Sequence, residues 1–322
     1  MLAALHRGLA RSTRLAVLLA LVATTGCADG SAIACRVGAD CASGVCRSDG
    51  TCARPMPDAG LPVDAAPTAD DALTPPPSDT GPTSDSGVRL CAPDRDGTIT
   101  RAEVPLRAGL YATFRIAEDA VVSTAGVTMG GARRWDLSGA LPGDRDARVE
   151  LRSPSGAWWA GEFPRATYAT ALSASSENLG VFEVRDDALV LLGVVSPESG
   201  PTQTRLTYDP PVPVLRLPLR EGATWNVTST VRGQALGVIS AYTETYTFVA
   251  DASGTIATPF GDIDVIRVRS ELDRTQGLVP LDARRSFAFV SECLGTVATI
   301  TSRSFETAAE FTQASEVRRL SP

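Results

Sequence analysis

The chain contains no lysine, and its one histidine is His6, so from Cys27 onward it has neither residue. Without an imidazole or an ε-amine, that part of the chain cannot build a Ser-His-Asp or Cys-His nucleophile, a Schiff base, the lysine of a P-loop or a histidine-bound zinc centre. Paired carboxylates of the glycosidase kind survive the exclusion, as do tyrosine and arginine chemistry. The 37 acidic residues are too many and too scattered to nominate such a pair, and the sequence names no catalytic residue. Long apolar runs are missing too: residues 15–23 form a run of nine, against the roughly 20 that a spanning helix needs. No stretch sustains a helical repeat over three turns.

What stands at the front is an export signal. Arg7, Arg11 and Arg14 precede the apolar run, and small residues lead from it to Cys27. Thr24-Thr25-Gly26-Cys27 resembles the lipobox of bacterial lipoproteins, with Thr24 where leucine is usual. The resemblance implies removal of residues 1–26, acylation of Cys27 with chains such as palmitate, and a membrane partner through that anchor. An ordinary secretory signal with a chance cysteine is the alternative. Ala28, rather than aspartate, follows the cysteine, and in the sorting rule of enteric bacteria that sends a lipoprotein to the outer membrane of the cell envelope. Removing three arginines leaves 27 basic residues against 37 acidic ones, a balance of −10. Such a surface repels nucleic acid, and no DNA or RNA partner is expected.

Residues 27–52 hold the anchor and then Cys35, Cys41, Cys46 and Cys52, separated by five, four and five residues rich in Gly, Ser and Asp. In an exported chain this density predicts a knot with two disulfides, in one of three connectivities, rather than a metal site. The pattern C-x5-C-x-S-G-V-C resembles the cysteine-rich repeat near the N-termini of many uncharacterised myxobacterial surface lipoproteins. A recognition knob and a protease-resistant spacer are both consistent with it. Residues 53–90 contain eight prolines and six acids without apolar periodicity, which predicts a disordered linker. Such a linker spans about 30 Å as a coil and holds the C-terminal part of the chain clear of the membrane.

Residues 91–322 then form the one stretch able to bury a core. Within residues 91–103, Asp94, Asp96, Gly97, Ile99 and Glu103 fall at the places of a late EF-hand loop. Ala92 stands where the first ligand belongs and Pro105 interrupts the exit helix, so no metal or other cofactor is assigned. The expectation is an Asp-Gly turn feeding a first strand, with calcium on Asp94, Asp96 and Glu103 as the alternative.

From Tyr111 the pattern is β: runs of Val, Thr, Ile and aromatics broken by Gly, Pro and Asp about every ten residues. Residues 181–195 read as a hairpin turning at Asp186-Asp187. Tyr242, Tyr246 and Phe248 share one strand face, as do Phe287, Phe289 and Cys293, and a bulge is expected at Val265-Ile266. Residues 164–172 are read as a strand over a short helix. Trp135 and Trp225 are assigned to the core. Trp158 and Trp159 are split between core and sheet edge, against an exposed aromatic platform. With the four clustered cysteines satisfied among themselves, Cys91 and Cys293 remain and are expected to pair.

These signals predict a mainly β domain, an antiparallel meander curled into an open or closed barrel-like sheet, with a sandwich as second choice. Residues 208–225, 254–268 and 289–302 resemble the second half of uncharacterised periplasmic lipoproteins with curved β-sheets, which implies fold and location rather than activity. The expected function is display of a non-catalytic β domain for binding or structural purposes. Its rivals are a carboxylate-based hydrolase of envelope polysaccharide and an amphiphile carrier.

Overall fold

A computed structural model of the protein describes residues 91–322. The anchor cysteine Cys27, the cluster Cys35, Cys41, Cys46 and Cys52, and the linker 53–90 lie outside the described residues. The alternating pattern resolves into sixteen strands: β1 (Thr98–Ile99), β2 (Tyr111–Val121), β3 (Val127–Met129), β4 (Ala132–Asp136), β5 (Arg145–Glu150), β6 (Tyr168–Ala171), β7 (Leu179–Val184), β8 (Ala188–Val195), β9 (Arg205–Arg216), β10 (Leu219–Arg220), β11 (Thr224–Ala235), β12 (Val238–Thr258), β13 (Gly261–Gln276), β14 (Val279–Ser291), β15 (Gly295–Ser302) and β16 (Gln313–Ser321). A 3-10 turn, Arg101–Glu103, is the one helical element among the described residues.

Twelve strands follow one another in the order β5-β2-β16-β15-β14-β13-β12-β11-β9-β8-β7-β6, paired antiparallel throughout. From β6 to β16 this is a meander, as expected, and a sheet of that size has to curl or close. It nearly closes: Arg152, just past the end of β5, and Ala169 of β6 exchange backbone hydrogen bonds of 2.7 and 2.9 Å. Prolines shape the ring locally. β9 pairs with β11 only from Arg205 to Asp209, because Pro210 and Pro211 follow and have no N–H to give.

The ring's interior is packed. Tyr168, Phe182, Leu191, Tyr208, Trp225 and Phe248, drawn from β6 to β12, belong to one buried cluster with Val268 and Val290 from β13 and β14. Ile99 and Val104 from the N-terminal segment close its end. Trp225 stacks on Phe248 at 5.1 Å between centroids, and Phe248 on Tyr246 at 5.8 Å. A second core covers the outer face, where Trp135 and Ile256 pack with Phe287, Phe289, Ile300 and Val317. A third lies where Trp159 and Phe163 pack with Val181 and Val190. Trp135 and Trp225 are thus core residues, as their positions implied.

The far end of the β12–β13 hairpin explains the second core and corrects the expected bulge. The extra residue is Asp251 on β12, between Ala250 and Ala252, while β13 pairs with β14 without a shift from Ile266 to Arg274. Past the bulge the hairpin leaves β11, takes β4 as a parallel neighbour and turns over the ring, so that the Phe260 N–H donates to the Leu320 carbonyl at 3.1 Å. Ile263 and Val265 therefore face the second core, while Ile266 and Val268 face the first. The slip in the apolar pattern reflects a strand buried on both faces. Gly254 is required at this crossing, since a Cβ there would meet the Arg133 carbonyl oxygen at 2.0 Å.

Candidate functional site

The disulfide forms as expected. Cys91 and Cys293 are bonded across 202 residues, with Cα atoms 5.4 Å apart. It fixes the start of the domain against the β14–β15 turn. Cys293 does not share the strand face of Phe287 and Phe289: β14 ends at Ser291, and Cys293 lies in the turn at φ 65°, its N–H donating to the Glu103 carbonyl. From Cys91 the chain makes the Asp-Gly turn read from the sequence. Asp94 accepts from the Asp96 N–H (3.1 Å), Asp96 from the Thr98 N–H (2.7 Å), and Gly97 supplies φ 81° before β1 pairs with β10.

Glu103 is elsewhere. Its carboxylate accepts from the Thr100 N–H and hydroxyl, both at 2.7 Å, and caps the 3-10 turn. The acid that the structure brings to Asp94 and Asp96 is Glu292, with one oxygen of each of the three within 4.8 Å of the others. Sequence reasoning missed Glu292. Its signal was adjacency to Cys293, since a bridge carries its neighbours with it.

Beside the bridge runs a groove of about 810 Å³, lined by the N-terminal segment, the curled end of β12–β13 and the β14–β15 turn. Ile99, Val265 and Ile266 line it with the exposed Phe260 and Leu294, and Asp262, Asp264 and Glu292 supply carboxylates. Arg134 grips Asp262 through two bonds of 3.0 Å, which raises the guanidinium pKa above its ordinary value. Arg95 lies 3.7 Å from Asp264, and the Glu292 carboxylate accepts from the Arg95 N–H. With Asp94 and Asp96 the groove has five carboxylates against two guanidinium groups, so it is acidic with apolar edges. That combination suits a cation with an apolar part. It does not suit a proton-donating carboxylic acid, which needs burial in apolar surroundings: the Asp262 and Asp264 side chains are 58% and 65% exposed.

Among the described residues the one fully buried carboxylate is Glu244, inside the ring. The sequence reading put Tyr242 and Tyr246 on one face and passed over the glutamate between them, which alternation places on that same face. Glu244 accepts from Arg274 Nε (2.7 Å) and the Tyr246 hydroxyl (2.5 Å), and Arg274 stacks over Tyr242 at 4.8 Å. Burial raises the pKa of Tyr208 and Tyr246, and the nearby Glu244 adds to both. Two further arginines are buried in structural roles. Arg267, 2% exposed, binds Asp251, Glu310 and the Thr124 carbonyl under Phe287. Arg319 binds Asp144 and the carbonyls of Leu137 and Gly139. Desolvation lowers the pKa of Arg319, against the pull of Asp144.

The tryptophan pair does not divide between core and sheet edge: both lie on turns, Trp159 is buried against Phe163, and Trp158 packs partly buried on the same core and donates to the Ser196 carbonyl at 3.1 Å. Residues 168–171 of the segment read as a strand form β6. The comparisons do not place the chain in a family: no family model matches it, and neither does a curated protein or a solved structure.

Proposed function

We propose that the protein is a cell-envelope lipoprotein, acylated at Cys27 and held by that anchor at the outer membrane, whose β domain binds a ligand rather than transforming one. The observation that carries the binding part is the acidic, apolar-edged groove beside the Cys91–Cys293 bridge. Its ligand is a cation with an apolar portion, such as a basic peptide segment. The mature chain's lack of histidine and lysine supports binding over catalysis, and the packed interior leaves the outer groove, not the ring, as the place for a ligand.

Two measurements test the reading. The mature protein should partition into detergent, and Cys27→Ser should move it to the soluble fraction; a variant that stays with membranes sinks the anchor. In the second, a short peptide of alternating lysine and leucine is titrated calorimetrically into the mature chain at low salt, beside the same peptide with its lysines acetylated. Only the charged peptide should bind, and Asp264→Asn with Glu292→Gln should weaken it about tenfold, the sum of two partly exposed charge contacts. Equal binding of both peptides, or an unchanged affinity in the variant, would remove the groove from the proposal.

A further inference from the structure

The opposite end of the same strands carries two neighbouring hairpins. β11 and β12 turn at Leu236-Gly237, and β13 and β14 at Gly277-Leu278. The Gln276 amide donates to the Ala241 carbonyl (3.2 Å) and holds the tips side by side. On one flank they stand beyond the ring: β15 first pairs with β14 at Ser286, the Arg285 N–H donates to Ser302 Oγ and the Ala283 carbonyl accepts from the Phe305 N–H, and no strand pairs residues 279–282 on that side. Residues 234–241 (QALGVISA) and 275–281 (TQGLVPL) contain no charged side chain. Leu236, Val238, Ile239, Leu278, Val279 and Leu281 are exposed, Ile239 by 89% and Leu278 completely.

Two features decide what covers these side chains. Val238 and Ile239 are consecutive strand residues and point to opposite faces, yet both are bare, as are Leu278 and Val279. A protein partner seated on a hairpin covers one face. One edge of the β11–β12 tip is braced by the 201–204 loop, where the Gly237 N–H donates to the Gln203 carbonyl (3.2 Å) and the Leu236 N–H to Thr204 Oγ1 (3.3 Å), but the apolar side chains on both faces and at the end stay open, and a medium that they enter together covers them. The second feature is charge. Behind the tips, Arg232 is exposed, and Arg274 and Arg284 are 34% and 42% exposed, whereas their carboxylate partners Glu244 and Asp282 are 0% and 13% exposed. Asp273 is the exposed acid on the tip-bearing strands, and Glu177 and Glu198 lie on neighbouring loops that line a pocket with Leu236. On the strands behind the tips, three arginines thus stand against one exposed acid in a chain that is acidic overall.

We propose that the two tips insert into the apolar layer of a membrane with anionic headgroups, Arg232, Arg274 and Arg284 meeting the phosphates. This contact belongs to the β domain and does not need the anchor at Cys27.

The test uses the mature chain from Ala28, which lacks the acylated cysteine, sedimented with vesicles of phosphatidylethanolamine and phosphatidylglycerol or of phosphatidylcholine alone. Binding to the anionic vesicles should exceed that to the neutral ones at least tenfold. The triple variant Leu236→Asp, Ile239→Asp, Leu278→Asp should lose at least tenfold in binding without a change in melting temperature. Phe260→Asp with Leu294→Asp, at the groove end, should bind as the parent does. Failure of the parent chain to pellet with anionic vesicles overturns the proposal, as does a triple variant that pellets equally. Self-association that the triple variant abolishes, without vesicle binding, assigns the tips to a second copy and overturns it as well. Because the chain lacks the anchor, none of these outcomes depends on the acylation test.

Discussion

Replacing Cys91 and Cys293 with serine is expected to destabilise the β domain by about 5 kcal/mol and to lower its melting temperature by roughly 10 to 20 °C. The bridge closes a loop spanning 202 residues, nearly the whole domain. In the chain-entropy model a closure of that length removes about 5 kcal/mol of freedom from the unfolded chain. The folded state loses less, because Ile99 and Val104 remain buried in the interior core and β1 remains paired with β10. The effect therefore acts mainly through the unfolded state, and a stability of 5 to 15 kcal/mol is the scale it is set against. Urea unfolding of the double variant measures it. Intact mass after alkylation checks the premise: two added groups on the unreduced domain would show free thiols, whereas none without reductant and two with it confirm the bridge.

The bridge was legible because elimination among a few cysteines is a discrete argument, and the strand pattern from Tyr111 was legible because alternation is local. β2 begins at Tyr111, and β7 and β8 turn through Asp186-Asp187, where the Arg185 N–H donates to the Ala188 carbonyl. The sequence does not show locally that a sheet will fold back on itself. Val265 and Ile266 break the alternation because the end of the β12–β13 hairpin is covered on both sides, and the side chain that occupies the bulge, Asp251, is there to meet Arg267, 16 residues away on the next strand. Glu292 and Glu244 were missed for a related reason. Each is an ordinary acid by composition, and its role is set by a partner brought across the fold: the start of the chain at Asp94 for one, Arg274 on the neighbouring strand for the other. The hairpin tips escaped notice because their apolar residues read as ordinary strand ends, and only the structure shows that nothing among the described residues covers them.

Alkaline pH is expected to unfold the domain in one steep transition beginning near pH 10. Tyr168 and Tyr208 are almost fully buried and Tyr246 and Tyr242 partly so, and burial is the largest cause raising the pKa of all four. Near Tyr208, Tyr246 and Tyr242, the Glu244 carboxylate further opposes a phenolate. The direction comes from linkage. An unfolded phenol loses its proton near pH 10, while the folded ones keep theirs to higher pH. Below pH 10 both states are protonated and the phenols leave stability unchanged with pH. Above it the unfolded state binds fewer protons, and stability falls by about 1.4 kcal/mol per pH unit for each phenol, or roughly 5 to 6 for four. A domain of ordinary stability is exhausted within one to three units. The cause is unusually clean here, because the chain has no lysine, an ordinary arginine titrates about two or more units above tyrosine, and both cysteines of the domain are bonded. Phenolate absorbance and near-ultraviolet circular dichroism, followed together from pH 8 to pH 13, should change in one coincident step. Tyr168→Phe should make the fall in stability about a quarter shallower and move the step to higher pH, since it removes one of the four phenols and keeps the ring stacked on Phe182. Gradual ionisation of the four phenols near pH 10 with the dichroism still native would show that they are not held inside the ring.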